Sequence, residues 1–172
     1  KHDILPENVK EARVGVLSAG YNLVAAPEDE KRNPESVVDM QFSLPFATAI
    51  SLKYGRASLQ EYTPEIARRQ DVKDLMSKVR CITDPALDAQ YPRKWPAWAE
   101  IDTRDGQTFR SEIQYPKGDP ENALSWGEMK DKFINLSAAV ISEKRQQEVI
   151  MAVESLQNMR DMRELADLLT SE

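Results

Sequence analysis

The sequence predicts an α+β domain: about four mostly antiparallel strands covered by helices, followed by a helical C-terminal segment. Three patterns carry that prediction. Apolar and polar residues alternate from Val9 to Leu17; Asp105-Gly106 sits between two further alternating runs; and the last third carries apolar residues at helical spacing behind serine caps.

The first strand places Ala12, Val14 and Val16 on one side, with Lys10 and Arg13 nearer solvent. Residues 26–34 are charged and bracketed by Pro27 and Pro34, which predicts an exposed, mobile loop. A helix follows, capped by Ser43, with Pro45 in its first turn, where a missing N–H costs nothing, and Gly55 at its end. Phe46, Ala49, Ile50 and Leu52 supply its apolar surface. Ser58 to Glu61 and Thr63-Pro64-Glu65 each start a short turn, and Asp71 opens a helix through Leu75 and Met76. Period two returns at Val79, Cys81 and Thr83. Asp84 to Pro96 holds three prolines and is expected to be irregular. Runs 97–103 and 109–115 flank Asp105-Gly106, whose two residues tolerate positive φ and therefore signal a hairpin.

Ser125 and Glu128 form a capping box, followed by the stripe Met129, Phe133, Leu136 and Val140. Ser142 restarts a helix through Val149, Val153 and Leu156, and a last turn from Asp161 carries Leu165, Leu168 and Leu169. The expected division is an α+β domain over 1–141 and C-terminal helices over 142–172.

Composition narrows the function. A chain of 172 residues buries roughly two-thirds of its unfolded surface and needs no disulfide or metal to fold. Lys plus Arg number 23 and Asp plus Glu 29, so the formal charge of −6 argues against a nucleic-acid or anionic-membrane partner. No apolar run approaches the roughly 18 residues of a membrane span, and one cysteine suits a reducing compartment, so the chain is expected in the cytoplasm. Lys1 in place of an initiator Met predicts a piece of a longer protein.

Catalytic candidates are few. His2 is the one histidine, beside the N-terminus, where a surface residue is the plainer reading than an imidazole base. Cys81 shares a strand face with Val79, which predicts a buried structural thiol rather than a nucleophile beside Arg80. Glu28-Asp29-Glu30 lacks the spacing and the glycine of a calcium loop, and Gly118-Asp119-Pro120 lacks the Lys-Ser of a phosphate loop. No catalytic or metal site is therefore expected on this chain. Tyr91, Trp95, Trp98 and Trp126 read either as loop anchors or as a ligand surface. Lys117, Gly118 and Asp119 read as a rigid connection or, alternatively, as a loop that touches substrate or a neighbouring domain.

The order of these signals resembles a known family. Ser43-Leu44-Pro45-Phe46-Ala47-Thr48-Ala49 runs to Gly55; Tyr62-Thr63-Pro64 and Asp71-Val72 follow; Asp105-Gly106 precedes Tyr115-Pro116-Lys117-Gly118-Asp119-Pro120-Glu121-Asn122 and then Lys132-Phe133. With the opening 2–9, this succession resembles the C-terminal part of the MmgE/PrpD family, whose members include 2-methylcitrate dehydratase, cis-aconitate decarboxylase and iminodisuccinate epimerase. The resemblance implies an α+β lid domain that closes over an active site on an N-terminal helical domain, which bears most of the proton-handling groups. It implies a small di- or tricarboxylate substrate, no cofactor, and the homodimer common among the relatives. The helices from Ser142 onward would then pack on the helical domain and, without it, would leave Leu156, Leu165, Leu168 and Leu169 as an exposed stripe. Members often carry a tyrosine where this sequence has Phe46, so Phe46 is expected to wall the substrate pocket without a hydroxyl to donate. Phe42 likewise replaces a polar residue found in some dehydratases. Alone, the chain is expected to be inactive. The alternative reading is a free-standing, non-catalytic binding or interaction module, which a start codon at Lys1 would favour.

Overall fold

The computed structural model describes residues 4–170. The chain divides into two compact units, Lys1–Asn122 and Ala123–Glu172.

The first unit contains β1 (Val9–Val16), α1 (Ser18–Val24), α2 (Glu28–Arg32), α3 (Val37–Gln41), α4 (Leu44–Tyr54), α5 (Pro64–Arg68), α6 (Gln70–Ser77), β2 (Val79–Thr83), α7 (Pro85–Asp88), β3 (Ala97–Thr103) and β4 (Thr108–Ile113). The strands form one sheet in the order β2-β1-β3-β4. β1 pairs parallel to β2 and antiparallel to β3, and β3 pairs antiparallel to β4, so the sheet is mixed and mostly antiparallel. A parallel pair requires a crossover rather than a hairpin, and helices α1 to α6 supply it.

Alternation sorts the sheet into two faces. Ala12, Val14 and Val79 are buried on one, where Leu44 and Leu52 of α4 pack against them. The register shifts between Val9 and Glu11, and this bulge lets Val9 join the core as well. The other face carries charge: the Arg13 guanidinium lies 2.7 Å from Glu11, 2.6 Å from Glu100 and 2.7 Å from Asp102. Those hydrogen bonds hold the Arg13 pKa above the ordinary arginine value and the Glu100 and Asp102 pKa values below the carboxylate range.

α4 forms as its sequence predicts. The Ser43 hydroxyl accepts the Phe46 N–H at 3.1 Å, and Gly55 ends the helix at φ 67°. Phe46, Ala49 and Ile50, at i, i+3 and i+4, are fully buried against Met40 and against Val72, Leu75 and Met76 of α6. Each large side chain so buried contributes about 1.5–3 kcal/mol.

Two expectations are corrected. Residues 28–32, expected as a mobile loop, are helix α2: Glu28, Asp29 and Glu30 fall in its first turn and Lys31 and Arg32 in its last, which complements the helix dipole. Arg32 docks it by donating to the carbonyls of Met76 and Val79. The irregular stretch from Asp84 begins with the short helix α7, capped by the Asp84 carboxylate, which accepts the Ala86 N–H at 2.9 Å. The hairpin forms where Asp105-Gly106 signals it, with a loop from Arg104 to Gln107 and Gly106 at positive φ, 86°.

The second unit contains α8 (Trp126–Ser137), α9 (Glu143–Glu154) and α10 (Arg163–Leu168). The Ser125–Glu128 capping box opens α8. Gln146, nearly buried, donates to the Ile134 carbonyl and the Ser137 hydroxyl, both at 2.9 Å, and ties α9 to α8. The stripe expected through Val140 is cut short: α8 stops at Ser137 and Val140 is exposed. Leu156 and Leu169 are exposed, and Leu165 and Leu168 are half-buried.

Candidate functional site

The entry into α4 is built from short-range bonds. Ser43, 1% exposed, donates its hydroxyl to the Lys31 carbonyl at 2.5 Å while capping the helix, so one side chain fixes both α2 and α4. Just before it, Phe42 is exposed, as are Val37 and Val38 of α3. Phe46 points the other way. Its ring is sealed in the core, edge-on to Tyr62 with centroids 5.6 Å apart. Burial raises the Tyr62 pKa.

Lys117, Gly118 and Asp119 lie at the end of the first unit in a loop folded on itself. Gly118 adopts φ 107° and donates to the Asn122 carbonyl at 2.9 Å; the Asn122 amide donates to the Tyr115 carbonyl at 2.9 Å. Lys117 and Gly118 are exposed.

The other candidates disperse. His2 lies outside the described residues. Cys81 is half-buried, and desolvation pushes its thiol up to about 11 despite the nearby Arg32, so it stays protonated at neutral pH. Tyr91 and Trp95 pack edge-on at 5.2 Å. Trp98 lies on the charged sheet face, its indole N–H donating to Asp84 at 2.8 Å, and Trp126 belongs to the second unit. Among the described residues, no three His, Cys, Asp or Glu side chains group as metal ligands, and no helix is long and apolar enough to cross a membrane.

Two concavities of the first unit escaped the sequence reading. One, of about 440 Å³, is lined by Arg32 of α2, Glu35 of the following connection, Pro64, Ala67 and Arg68 of α5, and Lys73 of α6. Its cations come from three separate elements, so no sequence spacing announces them. The other, of about 370 Å³, is an open groove in which Leu44, Ala47, Thr48 and Ser51 of α4 face Ala99 and Ile101 of β3.

Comparison with known proteins gives these features a family. The model of the MmgE/PrpD C-terminal domain matches residues 1–158. The chain is also 27% identical, over 148 residues, to the cis-aconitate decarboxylase-like protein oryM of Aspergillus oryzae (strain ATCC 42149 / RIB 40). That alignment covers 86% of this chain and 30% of the relative, so the chain spans less than a third of the curated protein it matches. The α+β architecture, the serine-capped α4 and the match across residues 1–158 together place the chain in the MmgE/PrpD family, as its C-terminal domain.

Proposed function

We propose that this chain is the lid domain of an MmgE/PrpD-type enzyme acting on a small di- or tricarboxylate. The reaction class is proton abstraction beside a carboxylate, followed by elimination, decarboxylation or epimerisation. The groups that move protons would lie on an N-terminal helical domain, with this domain closing over substrate to exclude water and complete the pocket. The observation that carries the reading is the family match over residues 1–158, and the decarboxylase-like relative adds to it. In this reading the start of α4 faces the substrate side, with Phe42 at the surface and Phe46 as the wall behind it, and the loop at Lys117, Gly118 and Asp119 meets the neighbouring domain.

The test is turnover. The purified 172-residue chain is expected to leave 2-methylcitrate, cis-aconitate and iminodisuccinate unchanged, whereas the full reading frame that encodes it consumes at least one. Turnover by the chain alone, or a full-length protein inert toward all three, would sink the reading.

A further inference from the structure

We propose that the concavity between α2, α5 and α6 is a binding site for a compact dianion that carries a donor hydroxyl, such as a hydroxydicarboxylate or hydrogen phosphate. Four observations support it, and none depends on the lid reading.

The first is charge. The chain is acidic overall, yet Arg32, Arg68 and Lys73 line this concavity against one carboxylate, Glu35. Three cations gathered around one concavity against a single carboxylate leave a net positive field on a small ligand. The second is availability. Cations on the charged sheet face are spent on carboxylates: Arg13 on Glu100 and Asp102, Arg110 on Glu100. Arg68 and Lys73 make no ion pair or side-chain hydrogen bond among the described residues. Glu65, which feels the charge of Arg68, and Glu28, which pairs with Arg32 at 2.8 Å, are not among the lining residues.

The third is rigidity. Arg32 engages Glu28, Met76 and Val79 through one N–H of each guanidinium nitrogen. A guanidinium has five N–H groups, so two donors remain on a side chain already held in place. Pro34 and Pro64 stiffen the opposing segments, and the Asn33 side chain is fixed by donating to the Asp29 carbonyl at 2.8 Å. Preorganised donors lose less entropy on binding. The fourth is Glu35. A carboxylate among the cations repels a bare dianion but accepts a hydrogen bond from a hydroxyl, so a C–OH or P–OH is favoured at that end.

The experiment is a two-dimensional NMR titration of the full chain with L-malate, succinate and inorganic phosphate at constant ionic strength, with chloride as control. Saturable shifts at the amides of Asn33, Arg68 and Lys73 are expected with malate, with phosphate or with both; the responding anion identifies the source of the dianion. Malate is expected to bind more tightly than succinate, which lacks the hydroxyl. Arg68→Gln with Lys73→Gln, both exposed positions, should weaken binding about tenfold or more while leaving the spectrum folded. Arg32 is left intact because it holds α2 in place. Shifts that match chloride, spread evenly over all lysines and arginines, or persist in the double variant would overturn the site. Succinate binding as tightly as malate would overturn the hydroxyl contact at Glu35.

Discussion

The indole of Trp98 lies flat on the backbone of Gly15: a Cβ added at Gly15 would fall 2.1 Å from Trp98 Cε2. The two residues are register partners across β1 and β3. The ring is held from above by the Arg110 guanidinium, 4.4 Å from its centroid, and at its edge by the Asp84 carboxylate. Gly15→Ala must displace this assembly and is expected to destabilise the chain by about 1–3 kcal/mol in urea unfolding. In a double-mutant cycle, Trp98→Ala should absorb most of that cost. Additive losses would mean that the contact is not the cause.

Phe46 is a core residue at the start of α4. Because its ring has no exposed surface, Phe46→Ala should cost about 3–5 kcal/mol. Phe46→Tyr should cost about 1–3 kcal/mol in this chain by burying a hydroxyl in an apolar cluster. Denaturant melts of both variants check this. A Phe46→Tyr chain as stable as the parent would show that the para position reaches water or a partner.

Glu61 makes the fold acid-sensitive. Burial raises its pKa, but the hydroxyl and amide of Ser58 and the Arg56 guanidinium outweigh burial and leave the pKa below the ordinary value. A depressed folded pKa gives stability that is present above the unfolded value, near 4.3, and lost as pH falls through the folded value. Unfolding followed from pH 7 to 2 should therefore show stability falling below about pH 4. Glu61→Gln should flatten that dependence, and an unchanged profile would assign it to other carboxylates.

Cys81 should react slowly. With its thiol pushed up to about 11, alkylation by iodoacetamide at pH 8 is expected to be about tenfold or more slower in the native chain than in urea. Equal rates, read by mass spectrometry, would mean that the thiol is open.

The parts visible in the sequence are those fixed by local rules. Ser43, Thr63, Ser125 and Ser142 all cap helices where their spacing places them, and alternation located all four strands. What stayed hidden depends on long-range partners. α2 reads as a loop until Arg32 meets the Met76 and Val79 carbonyls, and the parallel pairing of β1 with β2 has no signature in either strand. The two concavities were missed for the same reason: each draws its lining from elements distant in sequence. Phe46 was legible as an apolar helix position, while its direction was set by α6 and Tyr62.

The central placement of β1 has a consequence during synthesis. β1 leaves the ribosome before the other strands of its sheet, yet its partners on either side, β2 and β3, are made only after the whole crossover. Until Val79 to Thr83 and then Ala97 to Thr103 emerge, the apolar face of Ala12 and Val14 has no strand beside it. Topologies dominated by such distant pairings close slowly and expose unpaired edges meanwhile. A nascent chain halted before Val79 is therefore the species in which chaperone engagement should be strongest, and release should coincide with completion of β3.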